Sequence, residues 1–309
     1  MSWLKNLSVY QFDGAGVSAD VLAEGLAEHP FAPCAPTEAE RSGWVAPLGG
    51  EGQLVHELQA AMLFSLQTEK KVVPAGVIRE RMNELVREIQ EQQPGRKIDK
   101  SLKEDLQQRI LDELLPRAFP QISRMRGYID TRLGLLLVET TSANKADAFV
   151  EQLRGALRKT EHNLSFVRFN HEPREIISNW MRNNDLPEAF EAGMKCVLKD
   201  GDGTGSINYK GQELNNDEQL RQYLADYKYI SELELSHQDN VTFTLTEKMV
   251  LKGIKPIGLV SDNIKAIDHD DEISRQDAEF ALHIGAVREL FPALALAFGG
   301  EVRNQAAGD

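Results

Sequence analysis

The sequence predicts an α+β protein with a central β-sheet layer and packed helices, a projecting helical-hairpin tip and a C-terminal α+β base. Three features support this fold class. Short apolar runs bounded by Gly and Pro alternate with helical segments over the first 170 residues, as in sheets covered by helices. Two strongly periodic helical segments lie between residues 74 and 120. An acidic region with strands and helices of its own begins at Glu172.

These changes along the chain predict three domains. The central α+β domain comprises residues 1–73 and 121–170, the helical tip comprises 74–120, and the base domain comprises 171–309. A chain of 309 residues is long enough to bury more than one core. Its 41% hydrophobic and 27% charged content is ordinary for a soluble globular protein.

The central domain is predicted to contain two similar sets of strands and helices. Residues 3–12 are rich in aromatic and β-branched side chains and predict a strand, after which Ser18 caps a helix that ends near Ala27. Residues 43–48 and 62–73 predict two more strands. The second set comprises a hairpin turning at Thr131–Gly134, a helix capped by Ser142 and a strand over 165–169.

The helical tip is predicted from two apolar stripes at helical spacing. Pro74 suits the first turn of the first helix, and Pro94-Gly95 ends that helix. Ser101 and Glu104 resemble a capping box for the second helix. The stripes consist of Ile78, Met82, Leu85 and Ile89, and of Leu102, Leu106, Ile110 and Leu114.

The base domain is predicted to mix helices with short strands. A helix around Ile176–Trp180 precedes strands near Cys196 and Ile207, and Pro292 is expected to kink or interrupt a long final helix. The remaining predicted elements are a helix over 216–226 and strands over 230–235 and 241–251.

The chain carries the marks of a cytoplasmic protein. Cys34 and Cys196 are isolated, which favours free thiols in a reducing compartment over a disulfide framework. The first residues lack the basic and apolar regions of a signal peptide. We expect no membrane association, because no run approaches the roughly 18 to 20 consecutive apolar residues that span a bilayer.

Charge is distributed unevenly along this acidic chain, whose formal net charge is −13. Residues 1–69 carry a net charge of −7 and residues 169–309 carry −11, whereas residues 70–168 carry +5. Nucleic-acid binding requires Lys and Arg gathered in one place. The middle of the chain is therefore the segment where we expect phosphate contacts, while acidic outer faces confine a polyanion to it.

Residues 114–131 hold the clearest cluster of candidate ligands for phosphate. Arg117, Arg124 and Arg126 are accompanied by a single acid, Asp130, and the planar guanidinium group of arginine binds two oxygens at once. Phe119 lies between two prolines in the same segment. It is interpreted as a core anchor, as an apolar plug at a subunit contact, or as a wedge against bases.

Enzymatic activity has no positive support in the sequence, and we expect neither a cofactor nor a metal. Gly14–Ala19 fits the G-x-G-x-x-A pattern of dinucleotide-binding proteins. The second parallel strand, which should end in an acidic ligand for the ribose about 20 residues later, is missing, and this favours a tight turn. Asp200–Gly211 opens like a calcium loop, yet its twelfth position is glycine. The acidic run 268–272 is typical of a solvated loop. A dinucleotide-binding enzyme and a protein-interaction scaffold are the alternative hypotheses.

Several sequence blocks occur in a characteristic order along nearly the whole chain. The blocks are Trp3–Tyr10, Phe31–Cys34, Gly43–Pro47, Glu69–Pro74, Leu114–Phe119, Ser142–Asp147 and the Leu-Ala-Phe-Gly-Gly segment near residue 299. The most specific are the opening block, Leu114–Phe119 and the helix start at Ser142. Through these blocks the chain resembles the recombination-associated RdgC family of bacterial DNA-binding proteins.

The resemblance implies a ring-shaped homodimer that encircles double-stranded DNA, and possible binding of single strands, without sequence specificity or a cofactor. It implies a nucleoid-associated role in recombination and replication that restrains strand exchange promoted by RecA. By position, Phe119 would lie at the ring-closing interface, and Gly211 stands where the family is usually basic. The site residues expected to bind DNA, from the charge pattern and the resemblance together, are Arg117, Arg124, Arg126, Lys145, Lys210 and Gln212.

Overall fold

The chain forms two compact units. The computed structural model describes residues 3–14, 16–50, 52–211, 213–214, 217–226, 228–267 and 271–303. The large unit comprises Met1–Leu26, Ala46–Phe64 and Arg126–Asp309, and the small unit comprises Ala27–Val45 and Ser65–Met125.

Eight α-helices and twelve β-strands occur among the described residues, which confirms the α+β class. The strands are β1 (Leu7–Asp13), β2 (Glu40–Val45), β3 (His56–Leu58), β4 (Ala61–Lys71), β5 (Pro120–Asp130), β6 (Leu135–Val138), β7 (Asn163–Phe166), β8 (Phe190–Asp200), β9 (Ser206–Lys210), β10 (Lys228–His237), β11 (Val241–Thr246) and β12 (Val250–Pro256). The helices are α1 (Ala19–Ala27), α2 (Ala75–Gln92), α3 (Lys100–Leu114), α4 (Ala143–Ala156), α5 (Pro173–Asn183), α6 (Glu218–Ala225), α7 (Gly258–Lys265) and α8 (Glu272–Ala297), and a 3-10 turn covers Leu115–Arg117.

Strand β1 lies at the centre of the antiparallel sheet in the large unit. On one side it pairs with β6, where Ser8 lies opposite Val138. On the other side it pairs first with β12 and then with β7. From β6 the strand order is β6-β1-β12-β11-β10-β8-β9, so that β9 is an edge strand. Residues 3–12 were predicted as a strand because of their aromatic and β-branched content, and six of the seven residues of β1 are buried.

Helix α8 supplies much of the core of the large unit. Its buried residues include Phe280, Ile284, Leu290 and Leu294, which belong to the same apolar cluster as strands β10 and β11. By length and composition α8 is able to cross a membrane, but 44% of its most apolar window is buried inside this unit. Pro292 was expected to kink or interrupt this helix; it is exposed, and the helix continues past it to Ala297.

Helix α4 packs against strand β5 through Phe149. The ring of Phe149 stacks on that of Phe64, with ring centroids 5.6 Å apart, and both side chains are fully buried. A Cβ atom on Gly127 would lie 2.7 Å from the Phe149 ring, so the strand needs glycine at this position. Ser142 occupies the cap position predicted for it but makes no side-chain cap hydrogen bond; its backbone N–H instead donates to Thr140 Oγ1.

A buried ion pair fastens α8 to the turn between β5 and β6. Arg288 Nε donates to Asp130 Oδ2 at 2.8 Å, and its Nη2 donates to Asp130 Oδ1 at 3.1 Å and to the carbonyl of Gln59 at 2.7 Å. Asp130 is completely buried. Its Oδ1 atom also accepts from the backbone N–H groups of Arg132 and Leu133. A buried carboxylate needs this many partners because burial removes its water.

The small unit contains β2 paired with the second part of β4, and the two helices of the predicted hairpin. Leu85, Leu106 and Ile110 form the buried centre of the hairpin, and the remaining stripe residues pack around them, which confirms both apolar stripes. The predicted cap of α3 is wrong. Asp99 Oδ1 accepts from Leu102 N at 2.9 Å, whereas Ser101 lies inside the first turn of α3.

Candidate nucleic-acid interface

The first half of strand β5, in the small unit, is exposed on both faces. Successive side chains of a strand point to opposite faces, so a covered strand alternates between buried and exposed residues. Residues 120–124 are instead all exposed, and Ile122 keeps 60% of its surface in water. With both faces exposed, this part of the strand is accessible to a binding partner.

Phe119 precedes this strand and is not a core residue, which rules out the core interpretation. Its side chain is 88% exposed, the highest value among the large exposed hydrophobic side chains of the described chain. The residue that anchors this segment is Leu115, which is buried in the 3-10 turn. Phe119 lines an apolar cavity of about 390 Å³ together with Val72, Val73, Pro74, Val77, Leu114, Arg117, Ala118 and Gln121.

Two of the predicted arginines lie in this part of the small unit with their charges unmatched by acids. Arg117 is exposed and lines the apolar cavity, and its side chain makes no hydrogen bond or ion pair with any residue that the structure describes. Arg124 is exposed and donates from Nε to the Oε1 atom of Gln67 at 2.7 Å. The neutral amide fixes the direction of the Arg124 side chain without neutralising its guanidinium group.

Arg126 differs from these two because its charge is matched inside the large unit. Its Nε and Nη2 atoms donate to the two carboxylate oxygens of Glu139, at 2.8 and 3.0 Å. The two side chains are only 20% and 21% exposed. A bidentate pair of this kind holds the guanidinium group firmly and occupies two of its donors.

The other predicted ligands in the large unit do not form one cluster. Lys145 is exposed in the first turn of α4, and α4 is tied to β1 by the Tyr10 hydroxyl, which donates to Asp147 at 3.4 Å. Burial, reinforced by the Asp147 carboxylate, raises the pKa of Tyr10, so this hydroxyl stays protonated. Lys210 is exposed at the end of edge strand β9, five strands from β1 or about 24 Å at the usual strand spacing. Gln212 lies outside the described residues.

A second basic surface, which the sequence analysis did not single out, lies on α5. Arg174 and Arg182 line one cavity with Lys228 and Tyr229. The signal that could have revealed it is the spacing of eight residues between the two arginines, which places them on one side of a helix. The acidic total of residues 169–309 concealed it.

The dinucleotide-binding alternative conflicts with the topology. A dinucleotide fingerprint needs a strand that continues through a helix into a parallel neighbour. Strand β1 ends at Asp13 and pairs antiparallel with β6, β7 and β12. A Cβ atom on Gly14 would lie 2.4 Å from the ring of Phe12, so this glycine serves the tight packing of the turn.

The loop that resembles a calcium site is closed by its own hydrogen bonds. Asp202 Oδ1 accepts from the backbone N–H and from the hydroxyl of Thr204, and these bonds lower the pKa of Asp202. Within the described ranges, no three His, Cys, Asp or Glu side chains are grouped so that they could hold a metal ion. Residues 268–270 of the acidic run lie outside those ranges.

Comparison with known proteins identifies the family. A family model described as "Putative exonuclease, RdgC" matches residues 2–301. The chain belongs to the RdgC family. It is 35% identical over 307 residues to the recombination-associated protein RdgC of Psychromonas ingrahamii, covering 97% of this chain and 99% of that protein. The protein of the same name from Tolumonas auensis is 35% identical with the same coverage, and that from Janthinobacterium is 32% identical over 98% of this chain and 100% of its own length.

Proposed function

We propose that this member of the RdgC family binds duplex DNA without sequence specificity and acts in recombination. The observation that carries the proposal is the exposed segment from Arg117 to Arg124, where two arginines without an acidic partner flank apolar side chains that are open to solvent. Arginine side chains bind phosphate oxygens well because their planar donors match them in pairs. Phosphate contacts position a protein on DNA but carry no sequence information.

The proposal includes a homodimer that closes into a ring around the duplex. Phe119 and Ile122 are support for a contact between two copies, since large hydrophobic side chains this exposed are typical of interaction surfaces. The apolar cavity beside Phe119 offers a place for an aromatic ring from a second copy. We assign this contact to Phe119, near the end of the proposed helical tip, residues 74–120.

Control of recombination follows from occupancy of the DNA. A protein that encircles duplex DNA makes that DNA less accessible to strand exchange, so we propose that the protein restrains RecA in the nucleoid through shared DNA. The relatives' names, which associate them with recombination, support this role. Direct contact with RecA is not needed for this mechanism. Strand-exchange assays in which the two proteins compete for a fixed amount of duplex distinguish occupancy from contact.

Binding is tested by replacing the two unpaired arginines. Arg117→Gln with Arg124→Gln removes two positive charges, and each lost phosphate contact lowers the slope of log K against log salt by about 0.9. We expect a slope smaller by about 1.8 per subunit, or about 3.6 for the dimer, in fluorescence-anisotropy titrations between 50 and 200 mM salt. The matched control is Arg79→Gln with Arg87→Gln, which removes the same charge from exposed positions on α2. Equal slopes for the wild type and the Arg117/Arg124 variant would remove this segment from the interface.

Encirclement and closure need separate measurements. A closed ring is retained on covalently circular duplex after a high-salt wash, and it slides off when one nuclease cut makes the DNA linear. A protein that only binds in a groove dissociates equally from the circular and the linear duplex. Phe119→Ser should weaken dimerisation in sedimentation experiments with little change in melting temperature, because the side chain is 88% exposed. A large loss of melting temperature with an intact dimer would contradict the interface assignment.

The proposal is of binding without catalysis, and the exonuclease description of the family model makes this directly testable. End-labelled linear duplex is incubated with the protein in Mg²⁺ or Mn²⁺. We expect the label to remain in full-length DNA. Release of labelled nucleotides in proportion to protein, and its absence in a denatured control, would establish a nuclease and overturn the non-enzymatic assignment.

A further inference from the structure

A basic cavity of about 300 Å³ lies on the outer side of α5 in the large unit. It is distinct from the exposed segment of the small unit and from Lys145 and Lys210. Three cations and one acid line it, although residues 169–309 are strongly acidic as a whole. The lining residues are Arg174, Glu175, Ser178, Asn179, Arg182, Lys228 and Tyr229.

Helix α5 is held rigidly, so the cavity rests on a firm support. Its apolar residues Ile177, Trp180 and Met181 are buried in the core of the large unit. On the side facing β10, the hydroxyl of Ser178 donates to the carbonyl of Arg174 and accepts from the backbone N–H of Ile230 at 3.0 Å. The helix is therefore anchored to the core and to β10. It displays Arg174 one turn before Ser178 and Arg182 one turn after it.

The two arginines are oriented by neutral groups. The guanidinium carbon of Arg174 lies 3.9 Å from the centre of the Tyr229 ring, an arrangement that covers its face and leaves its donor edge open. Arg182 donates from Nη1 to Asn179 Oδ1 and from Nη2 to the carbonyl of Leu224 at 3.3 Å. Neither guanidinium group has a carboxylate partner among the described residues.

The remaining charges of the cavity largely cancel. Lys228 forms an ion pair with Asp200, so it contributes little net charge. Glu175 lines the cavity and offsets part of the arginine charge. The uncompensated charge is that of two arginine guanidinium groups on a concave, polar surface. Such a surface binds oxyanions better than an acidic protein segment, which also needs apolar contacts.

We propose that this cavity is a second phosphate-binding site, which holds phosphates of one strand of the bound nucleic acid. Eight residues of helix separate the arginine Cα atoms by about 12 Å. Backbone charges follow one another every ~3.4 Å along the axis of each strand. Arg174 is held by the Tyr229 ring and Arg182 by Asn179, so at this spacing the two guanidinium groups can contact separate phosphates a few nucleotides apart. This inference rests on the proposed DNA binding and adds a site in the base of the protein to it.

The test compares two matched pairs of arginines in the full-length chain. Arg174→Gln with Arg182→Gln is set against Arg79→Gln with Arg87→Gln, which have the same spacing on an exposed helix and remove the same charge. Anisotropy titrations of labelled duplex are repeated from 50 to 200 mM salt. We expect the α5 pair to lower the slope of log K against log salt by about 1.8 per subunit, or about 3.6 for the dimer, and the α2 pair to leave it within experimental error. Circular dichroism melting confirms that both variants are folded.

The outcomes separate this inference from the proposed function. Salt-dependent binding by the wild type with an unchanged slope for the α5 pair overturns the second site and leaves DNA binding standing. No salt-dependent binding by the wild type overturns both. Equal losses for both pairs show a general charge effect and also overturn the site. Tripolyphosphate that binds the wild type and not the α5 variant, while duplex affinity is equal for both, identifies a free oligophosphate site and overturns the nucleic-acid assignment.

Tyr229 provides a further check as a positioning residue for Arg174. Tyr229→Phe keeps the ring under the guanidinium group and should preserve the salt slope, whereas Tyr229→Leu removes the ring face and should lower the slope by up to about 0.9 per subunit, or about 1.8 for the dimer. Equal slopes for the two substitutions would contradict the role of the stacked arginine.

Discussion

Arg288→Ala removes the cation that pairs with the buried carboxylate of Asp130 at the junction of α8 with the β5–β6 turn. Asp130 is 0% exposed and receives two hydrogen bonds from Arg288 and two from backbone N–H groups. Breaking a buried pair by removing one partner costs about 3–5 kcal/mol, because the other charge is left without compensation. Because the two backbone N–H groups still donate to Asp130 in the variant, we expect a loss of unfolding free energy at the lower end of this range, about 3 kcal/mol.

Urea denaturation followed by tryptophan fluorescence measures this loss. We expect a lower midpoint with an unchanged slope m, since the surface exposed on unfolding stays the same. The double variant Asp130→Asn, Arg288→Ala should recover part of the stability lost by Arg288→Ala, because the uncompensated charge is then absent. A loss below about 1 kcal/mol for Arg288→Ala, or no recovery in the double variant, would refute the reasoning.

Three further predictions follow from single contacts in the large unit. Glu139→Gln should remove the charge that pairs with Arg126 and steepen the salt slope of DNA binding by about 0.9 per subunit, or about 1.8 for the dimer; an unchanged slope would show that Arg126 does not reach phosphate. Gly127→Ala should cost about 1–3 kcal/mol in urea denaturation, because its Cβ meets the buried ring of Phe149 at 2.7 Å; a neutral result would show that the ring moves aside easily. His283 is fully buried, which lowers its pKa from 6.5 to about 3, with a smaller effect from Arg126 in the same direction. Between pH 6.5 and 3 the imidazole of His283 is therefore protonated in the unfolded chain and neutral in the native protein. Stability falls as pH drops from 6.5 towards 3. The difference in unfolding free energy between wild type and His283→Phe should vary with pH across this window, and a constant difference would contradict the burial argument.

The sequence by itself determined the local elements. Apolar stripes located α2 and α3, and Pro94-Gly95 marked the break between them, because the periodicity and the backbone restrictions of Pro and Gly act over a few residues. The cap of α3 was misplaced by two residues, since Asp and Ser are both good cap residues and only the structure shows that Asp99 accepts the hydrogen bond from Leu102 N. The region predicted as one strand over 241–251 divides at Met249, whose positive φ of 58° closes a turn.

The tertiary structure decided which side chains are available for binding. Arg117, Arg124 and Arg126 are equivalent in the sequence, but Glu139 lies close enough in space to pair only with Arg126 among these three. Phe119 had a core interpretation and proved to be exposed, because Leu115 fills the interior in its place. The arginines of α5 lie in an acidic region of the sequence, and they form a site only because folding brings the Tyr229 ring beside Arg174 and the Leu224 carbonyl beside Arg182. Local backbone preferences depend on neighbouring residues in the sequence. Whether a charge is paired depends on residues that only folding brings together.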